Sequence, residues 1–375
     1  MITRLYADNY KTLVNFELSL GPINLLLGAN GSGKSNVLET IRLIWDFVSL
    51  GSPSGELFPA NSRCRWDARK VQTFEIDLCG EEGTFAYKLE IEHGVNRGSC
   101  RVKSELLTHN QRPIYISGAD GAQVYEDDGI TTRMFLFDEN RSGIRHIPDY
   151  VNKLSTRFRR RLSMVWSLYI NPFSMTDECE TENAYPSRDM SNFASWYQNL
   201  ALDRPTVVSM LTEVLKTGVL DGFRSLRLMP VGEKTRALQA DFGVQANNAV
   251  PETVASYRFS ELSDGQRSLI ALYALATCAS DEQGTICLDH PENHLALPEI
   301  HPWLMRLSDA TDDGKCQAII ATHHPMLINL LAAHSGYWLE RQSDGPTRVK
   351  KITQDQQDSS GLSLSELIAR GWLYE

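Results

Sequence analysis

The chain has 375 residues, 42% of them hydrophobic, and 37 Lys and Arg against 47 Asp and Glu give it a formal net charge of −10. That length and apolar content suffice for a sizeable core spread over two or three lobes, and the acidic balance excludes a surface that is basic all over, so nucleic acid could be met only through a local patch or a partner. No apolar run approaches bilayer length and Met1–Asp8 lack a signal peptide's apolar stretch, which predicts a cytoplasmic protein without a membrane contact; the seven cysteines hold no C-x-x-C pair and read as reduced thiols, with Cys278 and Cys287 in the core.

Two or three strands open the chain: Ile2–Tyr6, the alternating Val14–Leu20 and the apolar Ile23–Leu27. The third runs straight into Gly28-Ala29-Asn30-Gly31-Ser32-Gly33-Lys34-Ser35, which fits the pattern G-x-x-x-x-G-K-[ST] without a mismatch. The segment after it, Asn36–Ile44, carries Val37, Leu38, Ile41 and Ile44 on one helical face. Strand, loop and helix in this order suit a nucleoside triphosphate. Glycines let consecutive N–H groups turn inward as an anion nest, and the helix N-terminus faces the phosphates. Lys34 would reach the β- and γ-phosphates and Ser35 would ligate Mg²⁺. The expected ATP contacts are Asn30, Gly31, Ser32, Gly33, Lys34, Ser35 and Asn36.

Leu50–Gly55 reads as a loop, and Thr73–Leu78 and Phe85–Glu92, bridged by Gly80-Glu81-Glu82-Gly83, as an antiparallel sheet flanking the nucleotide-binding core. Lys153, Arg157, Arg159, Arg160 and Arg161 surround Phe158 in a basic stretch that reads first as a solvated helix face and second as a nucleic-acid contact. From about 145 to 225 the periods are helical, with Trp166, Phe193, Trp196, Tyr197, Leu200, Leu211, Val214 and Leu215 as candidate buried positions. No heptad repeat is sustained there, so the expectation is a helical insertion rather than a coiled-coil arm. Strands return at Ser225–Met229 and Leu238–Phe242, opening a second α/β lobe.

Leu262-Ser263-Asp264-Gly265-Gln266 opens an apolar helix with a Ser-x-Gly-Gln turn, a second helix start suited to an anion. Thr285–Asp289 is an apolar strand ending in an acidic residue, as expected of a carboxylate that holds Mg²⁺ through water beside Ser35. Ala318–Ala321 is a strand followed by Thr322 and His323. His290 and His294 flank Glu292, but Pro291 stands where H-E-x-x-H needs its glutamate, which disfavours a zinc hydrolase. Leu362–Leu373 reads as a short capping helix.

This order of motifs resembles the ATP-binding cassette (ABC) superfamily, and within it the SMC/RecF-like soluble ATPases and the AAA-type ATPases associated with abortive-infection (AbiEii) and OLD proteins. On that resemblance Gly28–Ser35 is Walker A, Leu262–Gln266 the signature, Asp289 the Walker B aspartate and His323 the switch histidine; Asn9–Leu13 and Pro291–Leu295 extend the likeness over nearly the whole chain. It implies an α/β P-loop NTPase fold of ABC/SMC-head type with a flanking antiparallel sheet and a helical insertion. The segments would be 1–140 with Walker A, 141–225 as the insertion, and 226–375 with the signature, Walker B and the switch histidine. It also implies a head-to-tail homodimer in which two ATP–Mg²⁺ are sandwiched, with Ser263, Gly265 and Gln266 of one subunit covering the γ-phosphate held by the other. Asn171-Pro172 is the candidate Q-loop. An OLD-type Toprim nuclease is not expected, since the stretch after His323 lacks a convincing acidic cluster.

One position departs from the family. A glutamate that polarises the attacking water normally follows the Walker B aspartate, and here His290 does. Asp289, His290 and His323 are thus the expected catalytic residues, with His290 as base or, as the favoured reading, a slow site in which Glu292 substitutes. The resulting expectation is an ATP-sensing regulatory subunit of a phage-defence effector complex with a protein partner. The alternative is an ATPase acting directly on DNA, or contacting RNA, in repair or chromosome maintenance.

Overall fold

Alternating apolar residues in the first third of the chain build a large antiparallel sheet. The computed structural model describes residues 1–94, 100–244, 253–342, 345–353 and 361–372. It divides into two units, Met1–Ser167 with Leu327–Glu375, and Leu168–Met326. In the first unit the elements are β1 (Ile2–Asp8), β2 (Phe16–Ser19), β3 (Ile23–Leu27), α1 (Lys34–Trp45), α2 (Ser54–Leu57), β4 (Val71–Gly80), β5 (Gly83–His93), β6 (Cys100–His109), β7 (Arg112–Gly118), β8 (Gly121–Tyr125), β9 (Thr132–Phe135) and α3 (Lys153–Ser163), followed by β10 (Val165–Leu168). Eight strands pair in the order β2-β1-β4-β5-β6-β7-β8-β9.

On one face of this sheet Phe74, Ile76 and Leu78 of β4 lie beside Leu89, Tyr87 and Phe85 of β5, in that register, and all are buried. Phe158 of α3 packs against Phe85 and Tyr87 with ring centroids 5.8 and 5.6 Å away, which seats the basic helix on the sheet by its apolar side. Arg161 lies over Gly80, where a Cβ would stand 1.6 Å from its guanidinium.

The second unit contains β11 (Glu178–Cys179), α4 (Phe193–Asp203), α5 (Pro205–Lys216), β12 (Phe223–Pro230), β13 (Arg236–Val244), β14 (Thr253–Arg258), α6 (Asp264–Glu282), β15 (Thr285–Asp289), α7 (Leu297–Asp312) and β16 (Gln317–Ala321). β13 pairs antiparallel with β11, β12 and β14, and β15 pairs parallel with β16, Asp289 standing opposite Ala321. The middle of α6 is apolar all round, and Ser268–Ala279 are buried throughout. The boundary falls within α8 (Pro325–Ser335). Beyond it β17 (Gly336–Glu340) pairs parallel with β3 and antiparallel with β18 (Arg348–Lys351), and α9 (Leu364–Arg370) closes the described chain.

Several local expectations are corrected. The 145–225 stretch is not purely helical: α3, α4 and α5 are separated by β10 and by a largely irregular run over 169–192, where Asn, Ser, Asp and Pro side chains offer the backbone alternatives to a helix ladder. Trp166 therefore sits in a strand. The candidate buried residues are buried except Val214, which is half-buried on α5. Leu50–Gly55 is not wholly loop, since α1 continues as a π-helical turn over Asp46–Leu50 and Ser54 begins α2. Val14–Leu20 shortens to Phe16–Ser19. The β3–β17 pairing returns the chain after Leu327 to the first unit. The helix expected over Leu362–Leu373 is present as Leu364–Arg370, and Leu373 lies outside the described residues.

Candidate functional site

In the first unit β3 delivers the chain into the glycine-rich loop, and two of its glycines admit no other residue. Gly28 has φ 144° and a Cβ there would stand 2.1 Å from the Leu339 carbonyl oxygen; Gly33 has φ 107° and a Cβ would stand 2.4 Å from Thr347 Oγ1. Gly33 is also the N-cap of α1, so no side chain caps this helix, and no acidic residue lies in its first turn. Its N-terminal amides thus carry the positive end of the helix dipole without a protein anion to offset it.

Lys34 is buried, and its Nζ donates to the carbonyls of Gly28 (2.8 Å) and Ala29 (3.1 Å). Asn30, Gly31 and Ser35 are exposed at the loop mouth, and Ser32 Oγ is buried with no hydrogen-bond partner. Both observations fit phosphate: the lysine needs only to exchange carbonyls for phosphate oxygens, and Ser35 is open to a metal.

A brace that the sequence did not announce holds the loop. Thr347 Oγ1 lies 2.8 Å from both the Ser32 carbonyl oxygen and Thr12 Oγ1, and Thr12 accepts from Asn36 Nδ2 at 2.9 Å. Thr12 and Lys11 sit at the tip of a tight turn closed by paired hydrogen bonds between Tyr10 and Leu13.

In the second unit the end of β15 gathers the remaining candidates. Asp289 Oδ1 is buried without a hydrogen-bond partner, which fits a carboxylate awaiting a metal-bound water. His290 keeps the strand's pairing through its N–H to the Ala321 carbonyl (2.9 Å) but adopts φ 50°, a left-handed conformation that turns its side chain aside. Its Nδ1 lies 3.2 Å from Glu292 Oε1, its Nε2 3.8 Å from Asp289 Oδ1, and its ring stacks on exposed His323 with centroids 5.1 Å apart. The Glu292 side chain is only 8% exposed, Thr322 Oγ1 donates to its Oε1 at 2.6 Å, and its Oε2 is buried without a hydrogen-bond partner. Burial pushes the Glu292 carboxyl up, but the His290 and Thr322 hydrogen bonds outweigh it and hold the group below the usual carboxylate range.

The signature residues cap their own helix. Ser263 Oγ accepts from Gln266 N (3.2 Å) and Gln266 Oε1 accepts from Ser263 N (3.0 Å), a reciprocal capping box that leaves the serine hydroxyl's proton to donate elsewhere. Gly265 abuts the Pro291–Leu295 turn, where a Cβ would stand 3.0 Å from the His294 carbonyl oxygen. Arg267 donates to the Pro172 carbonyl (2.6 Å), and Phe173 meets the His294 ring edge-on at 5.4 Å. The candidate Q-loop, the signature helix and the turn after Asp289 are thus neighbours.

A family model described as "AAA domain, putative AbiEii toxin, Type IV TA system" matches residues 252–329. The OLD nuclease of Thermus scotoductus is 21% identical over 364 residues, covering 88% of this chain and 60% of that protein. The DNA replication and repair protein RecF of an Enterobacter species is 33% identical over 129 residues, covering 33% of this chain and 29% of RecF. The chain therefore spans less than two thirds of either relative's length. Among solved structures, an SMC head bound to the C-terminal winged-helix domain of ScpA superposes with a TM-score of 0.54 over 95% of this chain and 99% of that one, at 12% identity, a likeness of fold. No helix among the described residues is long and apolar enough to cross a membrane. The P-loop, the mixed α/β architecture and these similarities support a likeness to ABC-type ATPases of the SMC, RecF and OLD kind.

Proposed function

We propose that this chain binds ATP with Mg²⁺ at Gly28–Ser35, closes as a homodimer around two nucleotides, and couples binding and slow hydrolysis to a conformational signal read by a separate effector protein. The observation that carries the nucleotide site is the N-terminus of α1, which has neither a side-chain cap nor an acidic first-turn residue and opens from a loop whose glycines are sterically required. The amides of Asn30–Asn36 and the Lys34 ammonium bind and orient the phosphates. Ser35 and Asp289 are the residues that would hold Mg²⁺, which when bound neutralises charge developing on the phosphates. Ser263, Gly265 and Gln266 serve the partner subunit's nucleotide, and His323 senses the γ-phosphate.

Slow turnover follows from His290. Its Nδ1 faces a carboxylate held ionised, so that nitrogen is a donor, and the acceptor needed by an attacking water falls to Nε2 or to Glu292 Oε2. A role in defence draws on the matched family's description as a putative AbiEii toxin component, and the effector itself is a partner of unassigned identity.

The basic stretch gives less support to a direct action on DNA. Arg159 is engaged by the Arg145 and Ile147 carbonyls and by Asp149, and Arg161 donates to the Cys79 carbonyl. Lys153, Arg157 and Arg160 remain exposed, with Arg157 3.5 Å from Glu82. Steady-state phosphate release measured with and without duplex DNA tests the choice: low turnover indifferent to DNA agrees with a sensing subunit, and strong stimulation by DNA would favour the other reading.

A further inference from the structure

On the more exposed face of the eight-stranded sheet one cross-strand row changes character along its length. Glu75 of β4 stands opposite Lys88 of β5, Lys88 opposite Leu106 of β6, Leu106 opposite Ile116 of β7, Ile116 opposite Gln123 of β8, and Gln123 opposite Met134 of β9. The row is charged where it begins and largely apolar where it reaches β9, the last strand of the sheet. Four of the five most exposed large apolar side chains among the described residues belong to β9 or to segments close to it: Leu136 at 101%, Ile130 at 85%, Tyr150 at 80% and Met134 at 68%. Tyr150 stands close enough to Arg133 to act on its charge.

The backbone of this edge is open as well. Glu126 N donates to the Thr131 carbonyl at 2.8 Å, which makes these two residues a hydrogen-bonded pair. Antiparallel pairing alternates, so Val124 with Arg133 and Ala122 with Phe135 are the bonded pairs that follow, and the N–H and C=O groups of Thr132 and Met134 point away from β8. Among the described residues no strand pairs on that side. Sheets commonly guard such an edge with a lysine, a proline or a bulge. Thr132–Phe135 contains neither residue, its register with β8 runs without a shift, and its one charge, Arg133, is paired with Glu126.

We propose that this edge is a contact with a second copy of the chain, β9 pairing antiparallel with β9 about a two-fold axis at Met134. The edge is its own complement in that register. Met134 meets Met134, Thr132 meets Leu136 and Arg133 meets Phe135 of the second copy, so the apolar row runs on from one sheet into the other and no like charges face. A shift that moved the axis to Arg133 would set the two guanidiniums opposite each other. With four residues in β9 the contact is small, and the pairing is accordingly weak and concentration-dependent. It uses none of the residues assigned to the ATP-dependent contact, so it goes beyond that reading and needs no nucleotide.

Sedimentation velocity without nucleotide tests it. The parent is expected to move from one chain toward two between about 1 and 100 μM. Met134→Lys, which sets two ammonium groups beside the axis, and Thr132→Pro, which deletes an N–H that faces away from β8, are each expected to raise the dissociation constant at least about tenfold, while Met134→Ile keeps it within about threefold. Melting temperatures close to the parent's, taken at about 1 μM, show that the variants keep the fold, since both side chains are exposed. In the parent, hydrogen exchange at the Thr132 and Met134 amides is expected to slow as concentration rises. A parent that stays one chain at about 100 μM would overturn the proposal and leave the edge to an extended segment of another protein. A dimer that Met134→Lys and Thr132→Pro form as tightly as the parent would overturn it too.

Discussion

His290 Nδ1 and Glu292 Oε1 lie 3.2 Å apart at the end of β15, next to Asp289 in the chain. Placing at 290 the glutamate that the resemblance implies is not a clean change on its own, because a carboxylate there would face the Glu292 carboxylate and one of the two would be driven to protonate. The double variant His290→Glu/Glu292→Gln is therefore expected to hydrolyse ATP at least about tenfold faster than the parent, with His290→Glu alone rising less. Glu292→Ala in the parent is expected to lower turnover further, since it removes both the orienting partner of His290 and the second acceptor. Phosphate release by the three variants checks this, and parent-like rates in all of them would remove residues 290 and 292 from the chemistry.

Ser263→Arg is expected to leave ATP affinity within about threefold of the parent while preventing an ATP-dependent doubling of mass in light scattering. The substitution also deletes the cap of α6, so a loss of about 1 kcal/mol and a melting temperature lower by a few degrees should accompany it. Ser263→Thr, which keeps a capping hydroxyl, serves as the control for that cost. A variant whose mass responds to ATP as the parent's does would remove the signature from the dimer contact.

Glu105 gives a pH signature independent of nucleotide. It is fully buried on β6, and burial pushes its carboxyl from the ordinary 4.5 up to about 7, against hydrogen bonds from Ser142 (2.5 Å), Gly143 N (2.9 Å) and Tyr87 (3.0 Å). A raised folded-state value means the contribution is fully present below 4.5 and is lost as pH rises toward about 7, a swing of about 3 kcal/mol. His93 acts oppositely: burial lowers it from 6.5 to about 4, so its contribution is lost as pH falls across that window. In Glu105→Gln the melting temperature is expected to climb from pH 5 to 7 more steeply than in the parent. Parallel curves for the two proteins would show that Glu105 does not titrate there.

How much of this was legible in the sequence follows from the range of each constraint. The P-loop could be read because its motif is contiguous: Gly28, Gly33 and Lys34 stand at fixed spacing in one short stretch, and Lys34 returns to the Gly28 carbonyl. Thr285–Asp289 could be read because a buried parallel strand is apolar throughout and its end is marked by the first acid. The brace could not, since Thr12 and Thr347 meet across 335 residues and neither belongs to a motif. The strands β6–β9 went unread because charged residues such as Lys103 and Glu105 interrupt their apolar alternation, although an alternating pattern of burial in β6 is plain once its neighbours are in place. The left-handed turn at His290 left no mark, because histidine does not announce a positive φ as glycine does.

Titration calorimetry of ATP–Mg²⁺ into the parent and into Lys34→Ala tests the central claim most directly, since the claim is that this chain's P-loop holds a nucleoside triphosphate. The parent is expected to bind ATP with one site per chain, and the variant, which loses the loop's cation at the β- and γ-phosphates, to bind at least about a hundredfold more weakly. Equal ATP affinity in the two proteins would contradict the account.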